Sequence, residues 1–348
     1  MSDAPYVALP NAAITKADIE RAAQRISAYI RRTPIFRVPA GDCYARDRYS
    51  DGCSASSSPA SSSVINNATL NTSSVALKLE YLQCAGSFKA RGAFHNLLSR
   101  AVPQAGVVAA SGGNHGVAVA LAARTLGVAA HIFVPTISSP TKQQRIKQLG
   151  AKLIVGGDRY ADALAASVEF AKESGAIAIH AYNTSETLAG AGTTALELMQ
   201  QAPNIDTVLV AVGGGGLIGG MAAYLEEDVK VVAVETQGTP ALHSALEAGY
   251  PVPVETSGIA TDSLGASQVG SLCFPLIQRF VNESVLVSDD AVRQAQSLLW
   301  QNFRIPSEAG GAAAFAALSS GAYQPAPDEK VAVLVCGANG VIADYANS

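Results

Sequence analysis

Gly86-Ser87-Phe88-Lys89-Ala90-Arg91-Gly92-Ala93 is the stretch on which the reading of the fold turns. It follows a strand-like run, Val75-Ala76-Leu77-Lys78-Leu79-Glu80, and opens a helical pattern through Phe94, Leu97 and Leu98. One amine therefore stands where a strand gives way to a helix, which is where α/β proteins gather ligand groups. Small and apolar neighbours disfavour the charged form of Lys89, and a neutral lysine is an amine nucleophile of the Schiff-base kind. Most lysines are solvated surface groups. The weight of this one depends on what the rest of the chain places beside it.

Working outward, the chain alternates between two periodicities. Residues 107–110, 131–134, 153–155 and 176–181 read as strands, with helices over 115–126, 140–149 and 160–174 between them. A second series runs through a strand at 207–212, a helix from Leu217, a strand at 229–234 and a last strand at 331–335. Upstream, Thr15 caps a helix with Asp18 three residues later, and Ile19, Ala22, Ile26 and Ile30 carry it towards Thr33-Pro34. Alternation of this kind predicts the α/β class, with parallel sheets covered by helices on both faces, and the length suggests two such sheets. From Asp51 to Ser74 serine, alanine and asparagine take over. That segment has too little apolar surface to offset its ordering entropy and reads as a flexible surface insertion.

The 348 residues carry a net charge of −4 and are 49% hydrophobic. Such a balance gives no reason to expect nucleic acid or an anionic membrane as partner. No stretch is apolar for long enough to span a bilayer, and Met1-Ser2-Asp3-Ala4-Pro5 lacks the basic and apolar regions of a signal peptide. The five cysteines are scattered and form no C-x-x-C pair. A disulfide framework or structural zinc site is not expected, and a reducing cytoplasm is the natural setting.

Three strands end in loops that can carry chemistry. The first leads into Ser111-Gly112-Gly113-Asn114-His115-Gly116, directly before a helix. Backbone amides there can hold a carboxylate against the positive end of the helix, and the Asn114 amide can donate to an anionic ring oxygen. His115 taken by itself reads as structural. The second loop is Gly213-Gly214-Gly215-Gly216, followed by Leu217. Four bare glycines can wrap a phosphate at a helix start. The same residues also satisfy a G-x-G-x-x-G pattern through Gly214, Gly216 and Gly219, and about twenty residues onward Glu235 closes the next strand as a ribose-binding acid would. A dinucleotide-binding dehydrogenase is a competitor on these residues alone. The third loop, Cys336-Gly337-Ala338-Asn339, sets a thiol at the carboxyl end of the last strand. A thiol there can meet a heteroaromatic nitrogen without adding a formal charge, or it can be a small buried hydrophobe.

Together these stretches resemble the fold-type II pyridoxal-phosphate enzymes, specifically the serine/threonine dehydratase family. Four signatures carry the resemblance in family order: 86–93, 111–116, 213–217 and 336–339. A dinucleotide enzyme would account for the glycines but for neither the lysine nor the asparagine stretch. The resemblance implies two open-twisted parallel-sheet domains of the tryptophan synthase β-like kind. The small domain maps to 106–183 and the large one to 1–105 and 184–348, with the helix of Lys89 in the large one. It implies pyridoxal 5′-phosphate as cofactor, joined to Lys89 as a Schiff base. Phe88 packs beside the ring, Asn114 meets the 3′ oxygen, Gly213, Gly214, Gly215, Gly216 and Leu217 hold the phosphate, and Cys336 meets the pyridine nitrogen. Ser111, Gly112, Gly113, Asn114 and His115 would hold the substrate carboxylate. The implied reaction is α,β-elimination of L-threonine or L-serine to a keto acid and ammonia by a homo-oligomer, dimeric or tetrameric.

Departures from the family pattern refine this. Racemases of the family place a serine two residues before the loop asparagine, and here that position is Gly112. Without an acid on the opposite face of Cα, elimination is favoured over racemisation. The family's cation site pairs a strand-end glutamate with a second acid six residues on. Glu235 matches the first and stays a possible ligand, but Ala241 occupies the second. Ser307-Glu308-Ala309-Gly310-Gly311-Ala312 resembles a late family segment near the ring, which makes Glu308 a second-tier site residue. Only a short tail follows Cys336, so the regulatory domain of biosynthetic threonine dehydratases is not expected. Other β-hydroxy amino acids, 3-hydroxyaspartate and phenylserine among them, share the reacting atoms. A catalytically silent cofactor-binding homologue is the remaining alternative, and Lys89 speaks against it.

Overall fold

The computed structural model describes residues 14–44, 74–138 and 140–340. Most of the segment read as an insertion lies outside the described residues. Helix α1 (Lys16–Ile26) opens on the expected Thr15–Asp18 capping box. It stops short of Ile30, where the amide of Tyr29 closes a tighter turn onto the carbonyl of Ile26 at 2.9 Å. Strands β1 (Ile35–Pro39) and β2 (Ser74–Lys78) pair antiparallel, and α2 (Lys89–Leu98) follows. Next come β3 (Val107–Ala110), α3 (Asn114–Leu126), β4 (Ala130–Val134) and α4 (Pro140–Gln148). They lead into β5 (Lys152–Val155), α5 (Tyr160–Ser174) and β6 (Ile177–Ala178).

The expected strand over 176–181 is reduced to two residues for a local reason. The His180 ring accepts the amides of Tyr182 and Asn183 at 3.2 and 2.9 Å, and this turns the chain out of the sheet. Beyond it lie α6 (Ser185–Gln201), β7 (Thr207–Ala211), α7 (Gly216–Leu225), β8 (Lys230–Thr236) and α8 (Ala241–Ala248). The chain closes with α9 (Thr261–Leu264), α10 (Phe274–Phe280), β9 (Glu283–Val287), α11 (Asp289–Phe303), α12 (Ala309–Ser319) and β10 (Val331–Leu334).

Two sheets result. One is six-stranded in the order β1-β2-β10-β7-β8-β9, parallel except for β1. The other is four-stranded and wholly parallel, β5-β4-β3-β6. The central strands β7 and β10 are buried along their whole length, as expected of a sheet covered on both faces.

Helix α2 packs against the surroundings of both sheets. Its Ala90, Ala93, Phe94 and Leu97 share an apolar cluster with Val107, Ala109 and Ile132 of the smaller sheet. Its Arg91 points the other way, into a buried ionic cluster against β2 and α6. The Arg91 guanidinium donates to both oxygens of Glu80 at 2.8 and 2.6 Å and to Glu197 at 3.0 Å. Lys78 donates to Glu197 at 2.6 Å. Two cations and two carboxylates thus neutralise one another directly behind the first turn of α2.

Candidate active site

The site lies at the carboxyl ends of the strands, where both sheets direct their loops. Lys89 is the first residue of α2. Half-buried, it turns its Nζ inward to donate to the Ala181 carbonyl at 2.9 Å, and the amine lies 5.0 Å from the centre of the Phe88 ring. Burial pulls the amine from its ordinary value down to about 8. The neutral fraction therefore grows as pH rises through 8, well below the range in which a solvated lysine loses its proton. Stopped-flow capture of added pyridoxal phosphate by the apoprotein should accelerate with pH and level off above about 8. A rate still climbing steeply at pH 10 would mark the amine as ordinary.

One cavity gathers Lys89, Phe88, Asn114, the run Gly213–Gly216, Leu217 and Cys336, and Glu308 joins them. The glycine loop connects β7 to α7, with Gly215 at φ +88° as the cap and Gly216 as the first helical residue. The leading amides of a helix have no partner within it and face the cavity as anion donors. Gly214 is required for a second reason. A Cβ there would lie 2.4 Å from Cδ1 of Tyr182, whose ring rests on the loop.

Tyr182, Ser263 and Leu264 also line the cavity. The last two belong to the short α9 within 258–265, and no sequence signal singled out Tyr182. Of the expected carboxylate-holding residues, only Asn114 lines the cavity. Ser111, Gly112 and Gly113 form the loop into α3, where Ser111 Oγ accepts the Gly113 amide at 3.2 Å. The His115 ring is engaged with the Ile179 carbonyl at 2.9 Å, and burial pushes it down to about 3.

Cys336 is buried two residues beyond β10 and donates its thiol to the Gly310 carbonyl at 3.4 Å. Burial pushes it up to about 12, so it stays neutral. Glu308 directly precedes α12, and its Oε1 accepts the side-chain amide of Asn114. Lys142 of α4 reaches Asp262 and lies 4.0 Å from Glu308 Oε2. Burial nevertheless holds the Glu308 carboxyl above its usual range.

Pyridoxal phosphate fits these residues. They supply an amine for its aldehyde, a glycine cradle for its phosphate and a neutral thiol for its ring nitrogen. Two buried polar atoms have no hydrogen-bond partner among the described residues: Oε2 of the cavity-lining Glu308, and Oγ of Ser87, which pairs with Gly337. At Glu235 a divalent cation would find one carboxylate that is already engaged. Its two oxygens accept the amides of Leu242 and His243 at 2.7 Å each, capping α8, and Ala241 offers no ligand. Among the described residues no group of three or more His, Cys, Asp and Glu side chains could hold a metal ion.

A lysine amine turned inward among a glycine loop, an amide and a thiol at the strand ends of an α/β fold has the makings of a pyridoxal-phosphate site. The chain belongs to the pyridoxal-phosphate dependent enzyme family, whose model matches residues 62–337. It is 34% identical over 270 residues to an L-threonine ammonia-lyase of Thermotoga maritima, covering 76% of this chain and 67% of that one. It is 36% identical over 277 residues to a phenylserine dehydratase of Ralstonia pickettii, covering 78% and 85%. The structure of maize serine racemase superposes with a TM-score of 0.83 at 29% identity, covering 97% of each chain. Among the described residues no helix is long and apolar enough to cross a membrane.

Proposed function

We propose that this chain catalyses the pyridoxal-phosphate-dependent α,β-elimination of a β-hydroxy amino acid, L-threonine or L-serine, to a 2-keto acid and ammonia. The observation that carries this reading is the meeting of the Lys89 amine, the glycine loop, Asn114 and the Cys336 thiol in one cavity. The names of the ammonia-lyase and dehydratase relatives support the substrate class.

Bound pyridoxal phosphate supplies an electron sink for the charge left at Cα when its proton departs. The chain's own residues do the rest. The amides of Gly213–Gly216 hold the phosphate at the start of α7. Asn114 directs an N–H to the 3′ oxygen, and Cys336 meets the pyridine nitrogen as a neutral thiol. Ser111 and the amides at the start of α3 hold the substrate carboxylate. Lys89 Nζ would then take the Cα proton as general base and return it to the β-hydroxyl, which leaves as water. The unsaturated amine that departs is hydrolysed to keto acid and ammonia.

Racemisation needs an acid on the face of Cα opposite Lys89. Gly112 cannot supply it, and a Cβ there would lie 2.3 Å from Ser138 Oγ. Chiral chromatography of L-serine recovered after partial turnover should therefore return the L form. D-serine accumulating as fast as pyruvate would overturn the eliminase reading.

A panel of L-threonine, L-serine, 3-hydroxyaspartate and phenylserine, scored for ammonia and keto acid in equal amounts, tests the proposal directly. Turnover of none of them contradicts it. The proposal includes a homo-oligomer, dimer or tetramer, in the cytoplasm, after the habit of the family. It also includes a small domain over 106–183, supported by the four-stranded sheet that lies between Val107 and Ala178.

A further inference from the structure

An asparagine side chain serves a ligand only when its amide is turned the right way, and its partners decide that orientation. Asn114 is read from both ends. Its Nδ2 donates to Glu308 Oε1, and its Oδ1 accepts from Asn339 Nδ2 at 2.7 Å. Asn339 is fixed in turn. Its Nδ2 also donates to the Ala85 carbonyl at 2.9 Å, while its Oδ1 accepts from Arg145 Nη1 at 2.7 Å. A guanidinium has only donors. With Arg145 in place, turning Asn339 over would set its amide hydrogens against the guanidinium hydrogens and its oxygen against the Ala85 carbonyl.

Arg145 itself is exposed and lies on α4, one turn beyond Lys142 and on the same face. Asn339 and Glu308 come from beyond β10 and from the start of α12, on the side of the larger sheet. An exposed arginine on one unit thus reaches, through one buried amide of the other, the side chain that addresses the cofactor ring.

We propose that Arg145 is a positioning residue for the cofactor site, holding Asn339 and through it Asn114 in the orientation that presents an N–H to the 3′ oxygen of pyridoxal phosphate. The proposal rests on the cofactor reading given above. It predicts a functional cost for a residue whose surface location suggests none, and it predicts that a second donor at the same position restores function.

The test uses the full chain with Arg145→Met and Arg145→Lys, and it measures binding rather than turnover. Apoprotein is titrated with pyridoxal phosphate while the visible band is followed, and thermal melting is recorded on the same samples. Arg145→Met should weaken cofactor binding about three- to tenfold, the worth of one correctly directed hydrogen bond. Its apoprotein should melt within about 2 °C of the parent, as befits an exposed contact. Arg145→Lys should bind within about twofold of the parent. Unchanged binding in Arg145→Met overturns the relay alone. So does weakened binding that lysine fails to rescue and that follows a matching loss of melting temperature. A parent protein that forms no visible band overturns the cofactor reading and the relay together.

Discussion

Replacing Lys89 with alanine should lower keto-acid release by about a thousandfold or more, because one amine serves as both covalent anchor and base. No neighbour can take over. The His115 ring is engaged with the Ile179 carbonyl, and the His180 ring accepts the amides of Tyr182 and Asn183. Burial pushes both imidazoles down, to about 3 and about 4, and holds the Cys336 thiol up at about 12. The fold should survive, since among the described residues the amine bonds only to Ala181 and alanine suits the first turn of α2. A coupled assay on L-threonine, with the visible spectrum of the loaded protein beside it, checks both halves. Activity within tenfold of the parent would remove Lys89 from the mechanism.

The largest effect on stability is expected at Arg91, two residues further along the same helix. Arg91→Met should destabilise the fold by about 3–5 kcal/mol, the cost of leaving a buried carboxylate without its partner. Glu80 is fully buried and owes two of its hydrogen bonds to Arg91, while Lys78 is engaged with Glu197. Arg91→Lys should recover only part of the loss, since one ammonium cannot reproduce the paired contact to both Glu80 oxygens. Adding Glu80→Gln to Arg91→Met should recover some stability, because the two effects share one contact and do not add. Denaturant unfolding of the set measures this. A single-variant loss below about 1 kcal/mol would show that the cluster is solvated after all.

Much of the fold was legible because its strands are short apolar runs closed by loops. Strand β3 and helix α5 have the boundaries read from the sequence. What escaped has physical reasons. Helix α6 carries Gly190 and Gly192, which lower helix propensity, yet a Cβ at Gly190 would lie 2.7 Å from the backbone of α2. Those glycines serve close packing between helices. Helix α12, Ala309–Ser319, is apolar on every side and offers no periodicity to read.

In the site, the lysine, glycine, asparagine and cysteine stretches were visible because each combines an unusual residue with a strand-to-helix junction. Tyr182 was not visible, since it matters only through its contact with Gly214, a residue distant in sequence. Charged residues are expected at the surface, so nothing in the sequence announced that Lys78, Glu80, Arg91 and Glu197 lie buried together. Glu235 matched the strand-end acid of two different site types. In the structure its two oxygens accept the amides of Leu242 and His243 at the start of α8.

Borohydride reduction of the pyridoxal-phosphate-loaded protein, followed by peptide mass spectrometry, tests the role of Lys89 most directly. The expected result is a single pyridoxyl adduct on the peptide that contains Lys89. An adduct on any other lysine, or protein that remains unmodified under conditions in which it turns over L-threonine, would contradict it.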